Sequence, residues 1–178
     1  MTNPIVSTLE TIGVDSGRKP DLLGVMSQPD LIVIGGAVGA RWGGPVGWAA
    51  FIIVPSTGET KKIVDGSAEA TQDDADVMPF AAAIQWWHNT HNTGLKKTSP
   101  QVLCITDAPD VITAGVNPWK RNLASDWRFI TWFETRGYEI SWTWESRYEH
   151  LPIIQEALHA RQKFQAVGAS TPGCLQFQ

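Results

Sequence analysis

Cysteine is nearly missing from this chain, basic charge is in deficit, and no apolar run is long enough to span a bilayer. The two cysteines among 178 residues, Cys104 in an apolar stretch and Cys174 near the C-terminal end, make no disulfide framework. Cys104 has no CxxC partner and no neighbouring histidine, so it reads as a core residue. Lys and Arg total 14 against 18 Asp and Glu, a formal net charge of -4. Nucleic-acid binders draw most of their affinity from phosphate neutralisation and usually carry a basic surface, so this balance weighs against a strongly electrostatic grip. Apolar runs fall short of the ~20 residues that cross a membrane. The opening MTNPIVSTLE lacks the order of a signal peptide. The glycine-rich stretch 35–44 lacks the lysine and the Ser or Thr of a phosphate-binding loop. The expectation is a reducing intracellular compartment, or the inside of a viral particle, with no membrane association.

What is present describes an ordinary globule. Hydrophobic residues make up 43% and charged residues 18%, and the length suits one domain with a substantial core. Nine tryptophans stand out. Large aromatics fill cores first, so most are expected in packing, with stacking on a partner as the other use.

Along the chain, residues 1–28 have no sustained period and read as an N-terminal extension, within which Asp21 to Met26 forms a candidate docking turn. Residues 31–34 and 47–54 read as strands joined by a glycine loop, Ser56 to Glu59 as a hairpin turn, and Thr60 to Val64 as a third strand. Val77 to His91 reads as a helix. A cap at Asp74 or Asp76 would put Pro79 in its first turn, where a missing N–H costs nothing. Val102 to Thr106 is a buried, parallel type of strand. Helices follow at Asp107–Ala114 and Leu123–Thr135, the latter ended by Gly137. Tyr138 to Trp144 alternates as a strand, Pro152 to Phe164 is the last helix, and 165–178 is a polar tail. The order β-β-β-α-β-α-α-β-α predicts an α/β domain over 29–164: a mixed five-stranded sheet, three antiparallel strands then two further strands, flanked by helices.

Four segments, LIVIGGAVGARWGGPVGWAAFII, VMPFAAAIQWW, VLCITDAPDVI and YEISWTWESRYEHLPIIQEALHAR, resemble type 1 ribonuclease H in that order. The resemblance runs over roughly residues 29 to 163. It implies two divalent cations about 4 Å apart, held by converging carboxylates around the attacking water and the leaving oxygen. Only one of the family's four carboxylates survives when the patterns are laid side by side. The "T-D-G-S" aspartate falls on Gly35, and the "R-M-E-L-x-A-A-I" glutamate falls on Pro79. The "Y-T-D-S" aspartate is Asp107, and the last-helix carboxylate falls on Leu158. The family's mobile histidine falls on Tyr148, with His150 two residues away. The resemblance therefore implies a degenerate, non-cleaving member with no metal cofactor.

Three functions stay open on these residues. The first is a pseudonuclease serving as a structural or adaptor subunit, with a protein partner or a second copy of itself, in a viral or ribonucleoprotein assembly. The second is an RNA–DNA hybrid or single-strand binder that does not cut. Its stacking and phosphate residues would be Arg41 and Trp42 in the first hairpin, and Trp119, Lys120 and Arg121 before the third helix. The third is an active Mg²⁺ or Mn²⁺ nuclease with a relocated site on Asp107, Asp76 and Asp74. Against that third reading, the acids Glu69, Asp73, Asp74 and Asp76 read as helix capping and dipole partners, Asp107 as a cap of its own helix, and Asp110 as a solvent-facing helix residue. His88 and His91, three apart, read as structural.

Overall fold

The computed structural model describes residues 29–91, 99–122, 126–147, 149 and 151–169. The predicted N-terminal extension with its docking turn, and the positions of Tyr148 and His150, lie outside these residues. Strands β1 (Leu31–Val38), β2 (Gly44–Val54) and β3 (Glu59–Ala70) come first, followed by helix α1 (Gln72–His91). Then come β4 (Gln101–Thr106), α2 (Pro109–Val116), a 3₁₀ turn (Pro118–Lys120), α3 (Trp127–Glu134), β5 (Glu139–Trp144) and α4 (Leu151–Ala169).

The five strands form one sheet in the order β3-β2-β1-β4-β5. β1, β2 and β3 pair antiparallel, whereas β4 lies parallel to both β1 and β5. The expected α/β architecture is what the chain adopts. Strand alternation sends Leu31 and Val33 to one face, where they meet α1, α2 and α3 through Phe80, Ile84, Trp87, Val111 and Ile130. Ile32 and Ile34 point to the other face, toward Ile153 of α4. Gly47 lets α4 lie close on that side. A Cβ there would fall inside hard contact of the Ala157 carbonyl and the Arg161 amide. The tryptophans divide between core and surface. Trp48, Trp87 and Trp127 are buried and Trp86 and Trp142 pack against the core, while Trp42, Trp119, Trp132 and Trp144 are exposed.

Several boundaries differ from the sequence reading, each for a local reason. Gly35 and Gly36 belong to β1, paired with Ala50 and Ala49, so the glycine loop is shorter than expected. β3 runs on to Ala70 through its pairing with Gly44. α1 starts at Gln72 because Thr71 caps it. The Asp74 amide donates to Thr71 Oγ1 at 3.2 Å, and that hydroxyl donates to Asp74 Oδ2 at 2.7 Å. Pro79 therefore sits about two turns inside the helix, buried, rather than in its first turn. α2 starts at Pro109, where proline suits the first helical position, and Asp107 does not cap it. α4 continues past Phe164 to Ala169, so the first residues of the predicted tail are helical. Gly137 does close α3, with φ 86° and its amide donating to the Glu134 carbonyl at 3.0 Å. Among the described residues no helix is long and apolar enough to cross a membrane.

Candidate functional site

Parallel pairing of β1 with β4 fixes the site. Gly35 sits opposite Thr106, one residue before Asp107, so the first and third carboxylate positions of the resemblance are neighbours across adjacent strands. The space at Gly35 is filled. A Cβ built there would lie 2.6 Å from Cζ and 2.9 Å from Cε1 of Phe80, a fully buried ring on α1. Phe80 stacks edge-on against Trp142 of β5, with centroids 5.1 Å apart. An aspartate at position 35 would have to displace this ring from the core.

The earlier start of α1 changes which of its residues faces the site. Asp76, one turn before Phe80, is the α1 carboxyl that responds to Asp107. Burial, and then the charges of Asp107 and Asp73, push it up from 3.8 to about 7. Hydrogen bonding from Gln72 (Nε2 to Oδ1, 2.6 Å) and the charge of Arg147 pull the other way without prevailing. Pro79, where the sequence pattern put the α1 carboxylate, is a buried ring with no ligand atom. Asp74 serves the helix cap, Asp73 lies beside it in the first turn, and Glu69 is exposed at the end of β3. The acidic run thus splits into a capping part and one residue turned to the site.

Asp107 has a cationic partner already. Arg147 Nη1 donates to Asp107 Oδ2 at 3.3 Å, the carboxylate being buried and the guanidinium exposed. Glu145, which the sequence reading passed over, is buried just after β5, its amide donating to the Thr106 carbonyl at 2.8 Å. Leu158, on the exposed side of α4, offers no ligand atom. Among the described residues, no three His, Cys, Asp or Glu side chains gather closely enough to hold a metal ion. The donor set does not fit a pair of divalent cations, which need several carboxylate oxygens bridging them.

A cleft of about 300 Å³ opens beside this point, between the start of α1 and α2. Asp73, Asp74, Asp76 and Asp110 line it with Lys120, and Trp127 forms part of its wall. Lys120 therefore stands in an acidic setting. Arg121 is not at the surface at all. Its side chain is 1% exposed, and its N–H groups donate to the carbonyls of Ala114 (2.9 Å) and Gly115 (2.8 Å), to Thr131 Oγ1 (3.3 Å) and to both carboxylate oxygens of Glu134. It also stacks on Trp127, and so ties the end of α2 to α3 with no donor left for phosphate. By contrast, Trp42 is 88% and Trp119 79% exposed, and the Arg41 guanidinium lies 5.1 Å from the Trp42 ring centre. Of the two helix histidines, His88 Nδ1 pairs with the Tyr138 hydroxyl at 2.6 Å and His91 Nε2 with Glu59 at 2.8 Å. Burial pushes the Cys104 thiol well up, in keeping with a core residue.

The α3 surface carries a feature that the sequence reading missed. Arg128 lies over Phe129 at 4.8 Å and Arg136 over Trp132 at 3.4 Å from the ring centres. Its signal was present in the helical spacing of Arg128, Trp132 and Arg136, four residues apart each time.

No family model and no curated protein matches the sequence. Solved structures do. The chain is similar to the N-terminal RNase H domain of a Mycobacterium tuberculosis protein, at 15% identity and TM-score 0.61, over 78% of this chain and 99% of that one. It is also similar to the RNase H1 of the halophilic archaeon Halobacterium salinarum, at 14% identity and TM-score 0.58, covering 75% and 98%. A third match is an RNase H1 isolated from compost, solved in complex with an RNA/DNA hybrid, at 15% identity and TM-score 0.61, covering 75% and 97%. Strand order, mixed pairing, helices on both faces and these matches together give this chain the ribonuclease H-like fold.

Proposed function

We propose that this chain is a non-cleaving ribonuclease H-like module that serves as a structural or adaptor subunit of a larger assembly. The observation that carries the reading is the Phe80 ring in the space beside Gly35, where a carboxylate would have to stand. Two-metal hydrolysis needs acids converging from separate elements so that both the attacking and the leaving oxygen are stabilised. Here Asp76 and Asp107 remain, one raised toward neutrality by burial and the other paired with Arg147. Asp73, Asp74 and Asp110 around the cleft outnumber its one lysine, Lys120, and so disfavour a phosphate backbone. A face of this kind suits holding a partner better than gripping and cutting a nucleic acid.

A second reading, hybrid binding without cleavage, is favoured by the exposure of Trp42 and Trp119 and by Arg41 beside Trp42. The compost RNase H1 and a foamy viral protease-reverse transcriptase, both similar in fold, were solved with RNA/DNA hybrids. Arg121 drops out of that surface.

The test is a labelled RNA–DNA hybrid incubated with the protein in Mg²⁺ or Mn²⁺, following retention and cleavage together. The proposal expects no cleavage above the Asp107→Asn and Asp76→Asn variants. Cleavage lost in either variant would overturn it and establish a relocated metal site on those two acids. Retention without cleavage, lost on Arg41→Gln or Trp42→Ala, would establish the second reading.

A further inference from the structure

The outer face of α3 has no role in the site described above, yet it pairs exposed rings with exposed arginines. Phe129 and Trp132 are 40% and 41% exposed, unusual for large rings on a helix that also buries Trp127, Ile130 and Phe133. Each exposed ring carries an arginine guanidinium over it, Arg128 at 4.8 Å and Arg136 at 3.4 Å from the ring centre. Arg128 and Arg136 are exposed themselves. Of the acids nearest in sequence, Glu134 is bound to Arg121, while half-buried Asp126 is pushed up by burial and pulled back by the charge of Arg128, so it offsets part of that arginine. Phe129 further borders a shallow groove of about 260 Å³ with Met78, Ala82 and Gln85. Asp65 and Asp126 also line that groove.

We infer that this face binds single-stranded nucleic acid, independently of whether the old active site cuts. Residues three apart on a helix place their side chains about 5–6 Å apart, close to the spacing of successive splayed bases. Phe129 and Trp132 supply stacking surfaces, and Arg128 and Arg136 supply cations beside them for the connecting phosphates. Two arginines over exposed rings fit an anionic partner that also carries planar groups. A carboxylate-rich peptide would use the charges and leave the rings without a purpose.

The experiment is fluorescence anisotropy of a labelled fifteen-residue oligothymidylate with the full chain in EDTA, over a salt series. Working in EDTA removes metal-dependent cleavage from the measurement, so failure here and failure of the non-cleaving reading are distinguishable. The expected result is saturable binding. The Arg128→Gln/Arg136→Gln variant should weaken it at least about tenfold and flatten the log K against log salt slope by about 1.4, that is ~0.7 per lost phosphate contact. Trp132→Ala should weaken it about fivefold or more with an unchanged slope, because stacking carries no counterion release. Circular dichroism and melting of each variant establish that the fold is intact. Three results would overturn the proposal: no binding, binding unaffected by the α3 variants but lost in Arg41→Gln or Trp42→Ala, or complete competition by a polyglutamate peptide at equal charge.

Discussion

Two surfaces of this molecule carry opposite chemistry. At the cleft between α1 and α2, Asp73, Asp74, Asp76 and Asp110 gather around a small volume, with Asp107 at the neighbouring strand end. On the outer face of α3, Arg128 and Arg136 lie on exposed rings. A net charge of -4 describes neither. On the proposed reading the acidic cleft keeps the place of an active site without its geometry, because the first strand offers Gly35 and the helix above it offers Phe80. The basic face shows what the arrangement of charge can do that its sum cannot.

The largest effect should come from Arg121, which separates buried from exposed cations. Arg121→Ala leaves Glu134 and two carbonyls without their donor, and should cost about 3–5 kcal/mol in urea unfolding. Gly35→Asp should cost about 1–3 kcal/mol by forcing Phe80 out of place. Phe80→Ala should cost less in the Gly35→Asp background than alone, which a double-mutant cycle would read as coupling between the two positions.

Asp76 gives a pH-dependent effect. Folded, its carboxyl holds a proton up to about pH 7, whereas the unfolded chain releases it near 3.8. The native state therefore binds more protons across that window. Stability falls as pH rises from about 4 to about 7 and levels off above. Asp76→Asn removes the penalty, so it should raise stability by up to about 4 kcal/mol at pH 8 and change it little at pH 4. Melting curves at both pH values check this, and equal shifts at the two would contradict it. The smallest effect belongs to Arg128→Gln and Arg136→Gln, expected to stay within about 0.5 kcal/mol while changing oligonucleotide binding. That contrast with Arg121 is what the comparison of surfaces requires.

Much of the fold was legible in local pattern. The alternation of 138–144, the apolar run ending at Thr106 and the turn glycine at 137 each fix a boundary by their own chemistry. The start of α1 was misplaced because Pro79 was taken as the limit. The competing signal, Thr71 followed three residues later by Asp74, is a cap, and tertiary burial tolerates a proline beyond it. That shift moved the α1 acid from Pro79 to Asp76. Asp107 was found through the resemblance of Ile105-Thr106-Asp107-Ala108 to the family's "Y-T-D-S", but its partner Arg147 lies 40 residues away. Phe80 over Gly35 and Arg121 in its cage of carbonyls and Glu134 depend on contacts between elements, which no spacing along the chain reveals.

The most direct test of the central claim is a count of manganese ions bound, by titration of the protein followed by electron paramagnetic resonance, with and without RNA–DNA hybrid. The account predicts at most one weak ion, lost in Asp76→Asn or Asp107→Asn, and no second ion when hybrid is added. Two ions bound together on the wild-type chain with hybrid present would contradict it, because a site closed by Phe80 beside Gly35 cannot hold the pair that cleavage requires.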